Sequence, residues 1–269
     1  MIGVFDSGLG GLTILRALFK ELPDYDYVYL GDNARVPYGS RSSEIIYQYT
    51  KEAVDFLFKK GVELIILACN TASTNALRRL QEEYLPENYP ERKILGVVKP
   101  SVESAIEKSF NKRIGVIGTE ATINSGVFPR EFLKLKSDFK VYQQACPLLV
   151  PIIEAGETDW LGLDLILTKY LANLKKKDAG ALILGCTHYS LIKNKIQKHI
   201  GKQVRLVSED EIIPQKLQDY LWRHPEIDKK LGKDKKRQFL TTVYSQRFNE
   251  LAKMFLQQQV EFQIVDLTN

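Results

Sequence analysis

The sequence predicts an α/β protein on open, mostly parallel sheets, and three observations carry that expectation. Short apolar runs rich in β-branched residues alternate with longer stretches of helical periodicity. At 269 residues the chain is longer than a single core ordinarily grows, so two domains are expected, with one large α/β domain as the alternative. The chain also nearly repeats itself. "ELIILACNT" (63–71) and "GALILGCTH" (180–188) are both apolar strands that run into a cysteine and small polar residues, and "IGVFDSG" is matched by "IGVIGT". This points to a duplicated α/β unit with one cysteine in each copy.

Strands are expected at Ile2–Asp6, Tyr27–Gly31, Leu64–Ala68, Ile94–Val98, Arg113–Gly118, Lys140–Gln143, Ala181–Gly185, Val204–Val207 and Phe239–Val243, with a last one within Val260–Val265. Apolar residues at helical spacing predict helices over Gly11–Glu21, Ser43–Lys60, Thr71–Glu83 and Leu161–Lys175. Pro86–Arg92, with two prolines and few apolar residues, reads as an exposed loop near a domain boundary.

Composition narrows the class. Hydrophobic residues make up 44% and charged residues 26% of the chain, which excludes a disordered or fibrous protein. No apolar run reaches the roughly 20 residues of a membrane span, and Met1 leads straight into a strand, so neither a membrane anchor nor a signal peptide is expected. The three cysteines at 69, 146 and 186 lie too far apart for a disulfide framework and suit a reducing, cytoplasmic compartment. The formal charge of +5 comes largely from lysine clusters at 175–177 and 229–237 without interleaved aromatics, so no nucleic-acid partner is expected.

Ligands of open α/β sheets bind beyond the carboxyl ends of the strands, so polar residues just after a strand are the candidates. Five clusters qualify: Asp6-Ser7-Gly8, Pro37-Tyr38-Gly39, Cys69-Asn70-Thr71, Gly118-Thr119 and Cys186-Thr187-His188. Cys69 and Cys186 each stand between an apolar strand and a helix start, where backbone amides stabilise a thiolate. Cys146, in "QQACPLLVP", lacks that setting and reads as structural. A metal site is not expected, because Cys186 and His188 form no close ligand pair of the zinc kind. The glycines of "DSGLGGL" match only part of a dinucleotide fingerprint, whose third glycine would fall at Thr13. They instead supply amides at a helix start, ready to bind a carboxylate. Asp6, Glu154 and His188 are the titratable candidates, with helix cap, exposed acid and core histidine as their ordinary alternatives. Ser7 and His188 do not make a hydrolase, since no Gly-x-Ser-x-Gly elbow is present.

"FDSGLGGLTIL", "GDNARVPYG", "LACNTAS", "GVVKPSV", "GVIGTEATI", "CPLLVPIIEAGE" and "LGCTHYSLI" resemble, in order and spacing, the motifs of the glutamate racemases. The resemblance implies two similar open, mostly parallel-sheet α/β domains with the active site in the cleft between them. Their expected limits are 1–97 plus 207–269 for a discontinuous first domain and 98–206 for the second. It implies no cofactor, glutamate as substrate, a homodimer, and a bacterial cell-wall role that supplies D-glutamate to peptidoglycan and so bears on cell shape. Carried over residue by residue, Cys69 and Cys186 become the two acid/bases, with Asp6, Glu154 and His188 assisting them. Ser7, Pro37, Tyr38, Gly39, Asn70, Thr71, Thr119 and Thr187 become substrate contacts. Two departures from the family pattern, Ser190 where proline is usual and Asn33 where threonine is commoner, touch no catalytic group. The absence of an N-terminal extension implies activity without an activator. The alternatives are an aspartate racemase or related two-cysteine isomerase, and a non-catalytic amino-acid-binding regulator.

Overall fold

Runs of Val, Ile and Leu four to six residues long become parallel strands because helices cover both faces of the sheets. Four of them, including both strands that lead to cleft cysteines, are buried at every residue. The computed structural model describes residues 1–267. Its first part comprises β1 (Ile2–Asp6), α1 (Leu12–Glu21), β2 (Tyr27–Gly31), α2 (Ser43–Lys59), β3 (Leu64–Leu67), α3 (Asn70–Arg79), α4 (Leu85–Asn88) and β4 (Lys93–Gly96). Next come α5 (Val98–Lys108), β5 (Arg113–Gly118), α6 (Glu120–Asn124), α7 (Val127–Leu135), β6 (Lys140–Ala145), α8 (Leu149–Ala155), α9 (Leu161–Lys176), β7 (Ala181–Gly185), α10 (Lys193–Ile200) and β8 (Arg205–Val207). The chain continues through α11 (Glu209–Arg223), α12 (Pro225–Asp228), β9 (Arg237–Thr241), α13 (Gln246–Leu256) and β10 (Gln263–Ile264).

The strands form two parallel sheets, one ordered β10-β9-β2-β1-β3-β4 and one ordered β6-β5-β7-β8. The run β2-β1-β3-β4 therefore has the same order as β6-β5-β7-β8. Under that correspondence the two cysteine-bearing strands, β3 and β7, are equivalent, as the sequence repeat suggested. In each sheet the order reverses direction beside the central strand, at β1/β3 and at β5/β7, which is where crevices open in such folds. Register then levels the residues that leave each sheet. Phe5 pairs with Leu67 and Gly118 with Gly185, so Asp6 exits beside Ala68-Cys69 and Thr119 beside Cys186.

Helices form where apolar residues recur on one face. Leu12, Leu15 and Leu18 are buried on α1, and Leu163, Leu167, Leu171 and Leu174 on α9. One apolar cluster runs from Val4 and Leu15 through Val102 to Leu182 and Ile196, so both sheets share a continuous core.

Several boundaries differ from expectation. The helix read over Thr71–Glu83 is regular only to Arg79 and passes through a π-helical turn at Leu80–Tyr84. Part of the expected loop Pro86–Arg92 is the short α4, whose Pro86 sits in a first turn where a missing N–H has no helical partner to lose. That segment leads into β4, a partner of β3, so the change of sheet comes only after Gly96. Val97 and Val98, read as the end of a strand, already begin α5. The ninth strand lies two residues earlier than expected and the tenth is only Gln263–Ile264.

Candidate active site

β1 ends at Asp6, whose carboxylate is 1% exposed and accepts the Gly8 amide at 2.9 Å and the Thr187 hydroxyl at 3.4 Å. The Gly11 amide also reaches it. The glycine amides expected to receive a ligand carboxylate are thus engaged in part by the chain's own Asp6. Burial raises the Asp6 pKa, and the neighbouring His188 works against that rise. Two of the glycines are required by close approach. A Cβ on Gly10 would come within 2.1 Å of Thr187 Oγ1 and 2.6 Å of His188 Nδ1, and one on Gly11 within 2.7 Å of Asp6 Cβ.

Cys69 caps α3. It is 6% exposed, its Sγ lies 3.2 Å from Ser7 Oγ, and the Ala72 amide donates to it at 3.5 Å. Burial, aided by the charge of Asp6, pushes its thiol up to about 11, against the pull of Ser7 and the helix-start amide. Cys186, 8% exposed, opens a 3-10 turn over Thr187–Ile192. Burial raises its pKa well above the ordinary thiol value, and the charges of Cys69, Asp6 and Glu209 add to the rise. The two thiols therefore sense each other, and ionising one disfavours ionising the other.

His188 Nδ1 stands 3.8 Å from Cys186 Sγ, while Nε2 stands 2.9 Å from Glu154 Oε1 on α8. An ionised carboxylate only accepts, so Glu154 favours the tautomer with a proton on Nε2, in which a neutral ring turns its Nδ1 lone pair toward the thiol. The Phe255 ring meets the imidazole edge-on at 5.0 Å and fixes its plane from behind. Such a carboxylate, imidazole and thiol series can accept a proton from Cys186 and return it.

Between the sheets Thr71 Oγ1 lies 2.9 Å from Thr119 Oγ1 and 3.3 Å from Thr122 Oγ1. Gly39 packs on Thr119, where a Cβ would come within 2.8 Å. Asn70 donates to Glu209 Oε2 at 2.8 Å. The fold thus links Asp6, Ser7, Gly39, Cys69, Asn70, Thr71, Thr119, Glu154, Cys186, Thr187 and His188. Pro37 is exposed and the Tyr38 hydroxyl donates to Asp32 at 2.5 Å, while the Tyr38 ring lies in the apolar cluster that Ala121 of α6 packs against. Cys146 packs in the core, 1% exposed.

Three residues escaped the sequence reading. Asp32 is fully buried and holds Tyr38, the Arg35 Nε at 2.6 Å and the Thr242 hydroxyl at 3.0 Å. Thr122 completes the threonine cluster, and Glu209 braces Asn70. Asp32 belonged to a quoted motif, and Thr122 follows Thr119 at the three-residue spacing of a cap; Glu209 gave no signal. Among the described residues no group of His, Cys, Asp and Glu is placed to hold a metal ion. No helix among them is long and apolar enough to cross a membrane. A separate cavity of about 630 Å³, lined by Ser73, Lys99, Arg130 and Lys216 among others, contains neither cleft cysteine.

Comparison with known proteins places the chain in a family and a fold. Residues 2–209 match the family described as Asp/Glu/Hydantoin racemase. The glutamate racemase of Aquifex aeolicus is 42% identical over 260 residues, covering 97% of this chain and 95% of that protein. A solved glutamate racemase isoform from Bacillus anthracis has a TM-score of 0.90 at 34% identity, covering 99% of this chain and 97% of its own. The Francisella tularensis glutamate racemase, solved in complex with D-glutamate, has a TM-score of 0.88 at 34% identity over the same shares of the two chains. The chain therefore belongs to the Asp/Glu/Hydantoin racemase family, with its two cleft cysteines at equivalent strand ends of two like-ordered sheets.

Proposed function

We propose that this chain interconverts L- and D-glutamate, with Cys69 and Cys186 as acid and base on opposite faces of the substrate's α-carbon. The observation that carries the reading is the equivalence of β3 and β7, each ending in a buried thiol whose ionisation raises the proton affinity of the other site. A racemase of this kind needs one thiolate and one thiol at a time, and mutual repulsion favours that mixed state over two thiolates. His188, oriented by Glu154, draws the proton from Cys186. Ser7 and the first-turn amides of α3 stabilise the thiolate of Cys69, and Asp6 relays between the halves through Thr187. By family resemblance Cys69 serves the D-isomer and Cys186 the L-isomer.

The substrate's α-ammonium would offset the burial that keeps both thiols protonated, and its carboxylates would compete for the hydroxyls of Thr71, Thr119 and Thr187. Ser7, Asn70 and the backbone of Pro37-Tyr38-Gly39 complete the binding surface in this reading. Fixed donors and exclusion of water would stabilise the carbanion formed between the two proton transfers. The same reading divides the chain into 1–97 plus 207–269 and 98–206; which strands share a sheet supports this except at Val207, which still pairs with Ile183 in the second sheet. It also takes the protein as a cytoplasmic homodimer that supplies D-glutamate to peptidoglycan.

Cys69→Ser and Cys186→Ser test it. Each should lower racemisation of glutamate by about 10²- to 10⁴-fold or more, since a hydroxyl is a poor base near neutral pH. On a β-chloro analogue the remaining thiolate can still take the α-proton while chloride leaves the β-carbon, forming an enamine that hydrolyses to the keto acid and ammonia. Each variant should eliminate from one enantiomer only, and the two should choose opposite enantiomers. Processing of the same enantiomer by both, or near wild-type racemisation by either, would refute the assignment. Faster turnover of aspartate than of glutamate by the wild type would shift the substrate to the smaller dicarboxylate.

A further inference from the structure

Glu209 opens α11, at the point where the chain leaves the second sheet, yet it is 3% exposed. Its Oε2 accepts the Asn70 amide N–H at 2.8 Å. The other two atoms of this pair, Glu209 Oε1 and Asn70 Oδ1, are both buried without a partner. An ionised carboxylate and an amide oxygen both only accept, so as an anion Glu209 leaves two buried acceptors unsatisfied on one contact. A proton on Oε1 turns that oxygen into a donor to Asn70 Oδ1. With the Asn70 N–H already on Oε2, that second bond would close a cyclic acid–amide pair and give both unpartnered oxygens a use.

Charge favours the same state. None of the ion pairs among the described residues involves Glu209. Burial holds its pKa well above the usual carboxylate range against the pull of the Asn70 N–H, and the charges of Asp210 on its own helix and Asp6 at the end of β1 add to the rise; the Cys186 thiol also senses the Glu209 charge. An ionised Glu209 would add another anion beside Asp6 and the thiols, in a pocket proposed to admit a dicarboxylate.

We propose that Glu209 is carried as a neutral carboxylic acid whose cyclic pair with Asn70 fixes that carboxamide, and the first turn of α3, beside Cys69. Glu209 is thereby a positioning residue, acting on the site through Asn70. Its importance for turnover rests on the reading of Asn70 as a substrate contact; its protonation state does not.

The test combines two substitutions with a spectrum. E209Q keeps one donor and one acceptor and closes an amide–amide pair, whereas E209A strands both polar atoms of Asn70. E209A should lower kcat/KM by about 5- to 100-fold, the range for an unsatisfied buried polar group, and E209Q should recover most of that loss. An infrared difference spectrum of wild type against E209Q at neutral pH should contain the C=O stretch of a protonated carboxyl. Carboxylate bands in its place would overturn the proposal, as would an E209Q loss equal to that of E209A with thermal stability retained. Should E209A unfold, the spectrum and the activity of E209Q still decide. Failure of the racemase reading would instead emerge in the cysteine variants and would leave the spectrum unchanged.

Discussion

Cys146 isolates what burial does to a thiol without a partner that works on it. Its Sγ donates to the Gln144 carbonyl, at 3.6 Å, and burial pushes its pKa up to about 12 against the pull of the Gly118 backbone. In an unfolded chain a thiol ionises near about 8.5. Between those values the folded protein binds more protons than the unfolded chain, so stability falls as pH rises through the window. Cys146→Ala should therefore lose less stability than wild type between about pH 8.5 and about pH 12, while keeping its turnover near pH 7. Equal changes in denaturation midpoint across the window would refute it. At this scale the sequence was legible wherever function coincides with position. Cys69 and Cys186 stood out because each follows an apolar strand. Glu209 did not, because Glu209, Asp210 and Glu211 read as ordinary first-turn acids favoured by the helix dipole. Only the tertiary approach of Asn70 distinguishes the first of them.

Among the elements, α13 is the one that backs the His188 imidazole, through Phe255, and it buries Phe248, Ala252, Phe255 and Leu256. Its start is fixed by Ser245, whose Oγ accepts the Phe248 N–H at 3.1 Å. Ser245→Ala should cost about 1 kcal/mol of stability, and Ser245→Asp should retain most of it, since either oxygen can cap the helix. A denaturant titration distinguishes the two, and no difference between them would mean that the cap is not what fixes α13. Four strands inside the sheets, β1, β2, β5 and β7, were readable to the residue, because they are apolar runs with polar or glycine ends. The edges were less so. Val97-Val98 after β4 and Val243 after β9 extend strand-like runs past the point where pairing stops, and pairing depends on partners far away in sequence.

For the whole molecule, closure is the governing feature. The thiols are 6% and 8% exposed, and the Thr71–Thr119 and Asp6–Thr187 bonds join residues of the two sheets, so the sheets are held close together over both thiols. Gly10 lies where that closure is tightest. Gly10→Ala should hold the sheets apart by roughly a methyl radius and lower kcat by about 10²-fold, the cost of an ångström of misplacement, with the fold preserved. A kcat within twofold of wild type and an unchanged small-angle scattering radius would show that the contact has slack. The duplication visible in the sequence correctly anticipated two like-ordered sheets. The close packing between them was not legible, because it depends on the mutual orientation of two units that no local pattern encodes.

The return of β9 to the flank of β2 has a consequence for how the chain is made. The first sheet begins at residue 2, yet the strand that covers the outer side of β2 starts at Arg237. On a ribosome, the contiguous sheet of β5 to β8 is complete while β2 still presents a bare edge of unpaired amides and carbonyls. The sheet encoded second is thus the first to be finished, and the β2 edge of the earlier one stays open to neighbouring polypeptides until Arg237–Thr241 has been made.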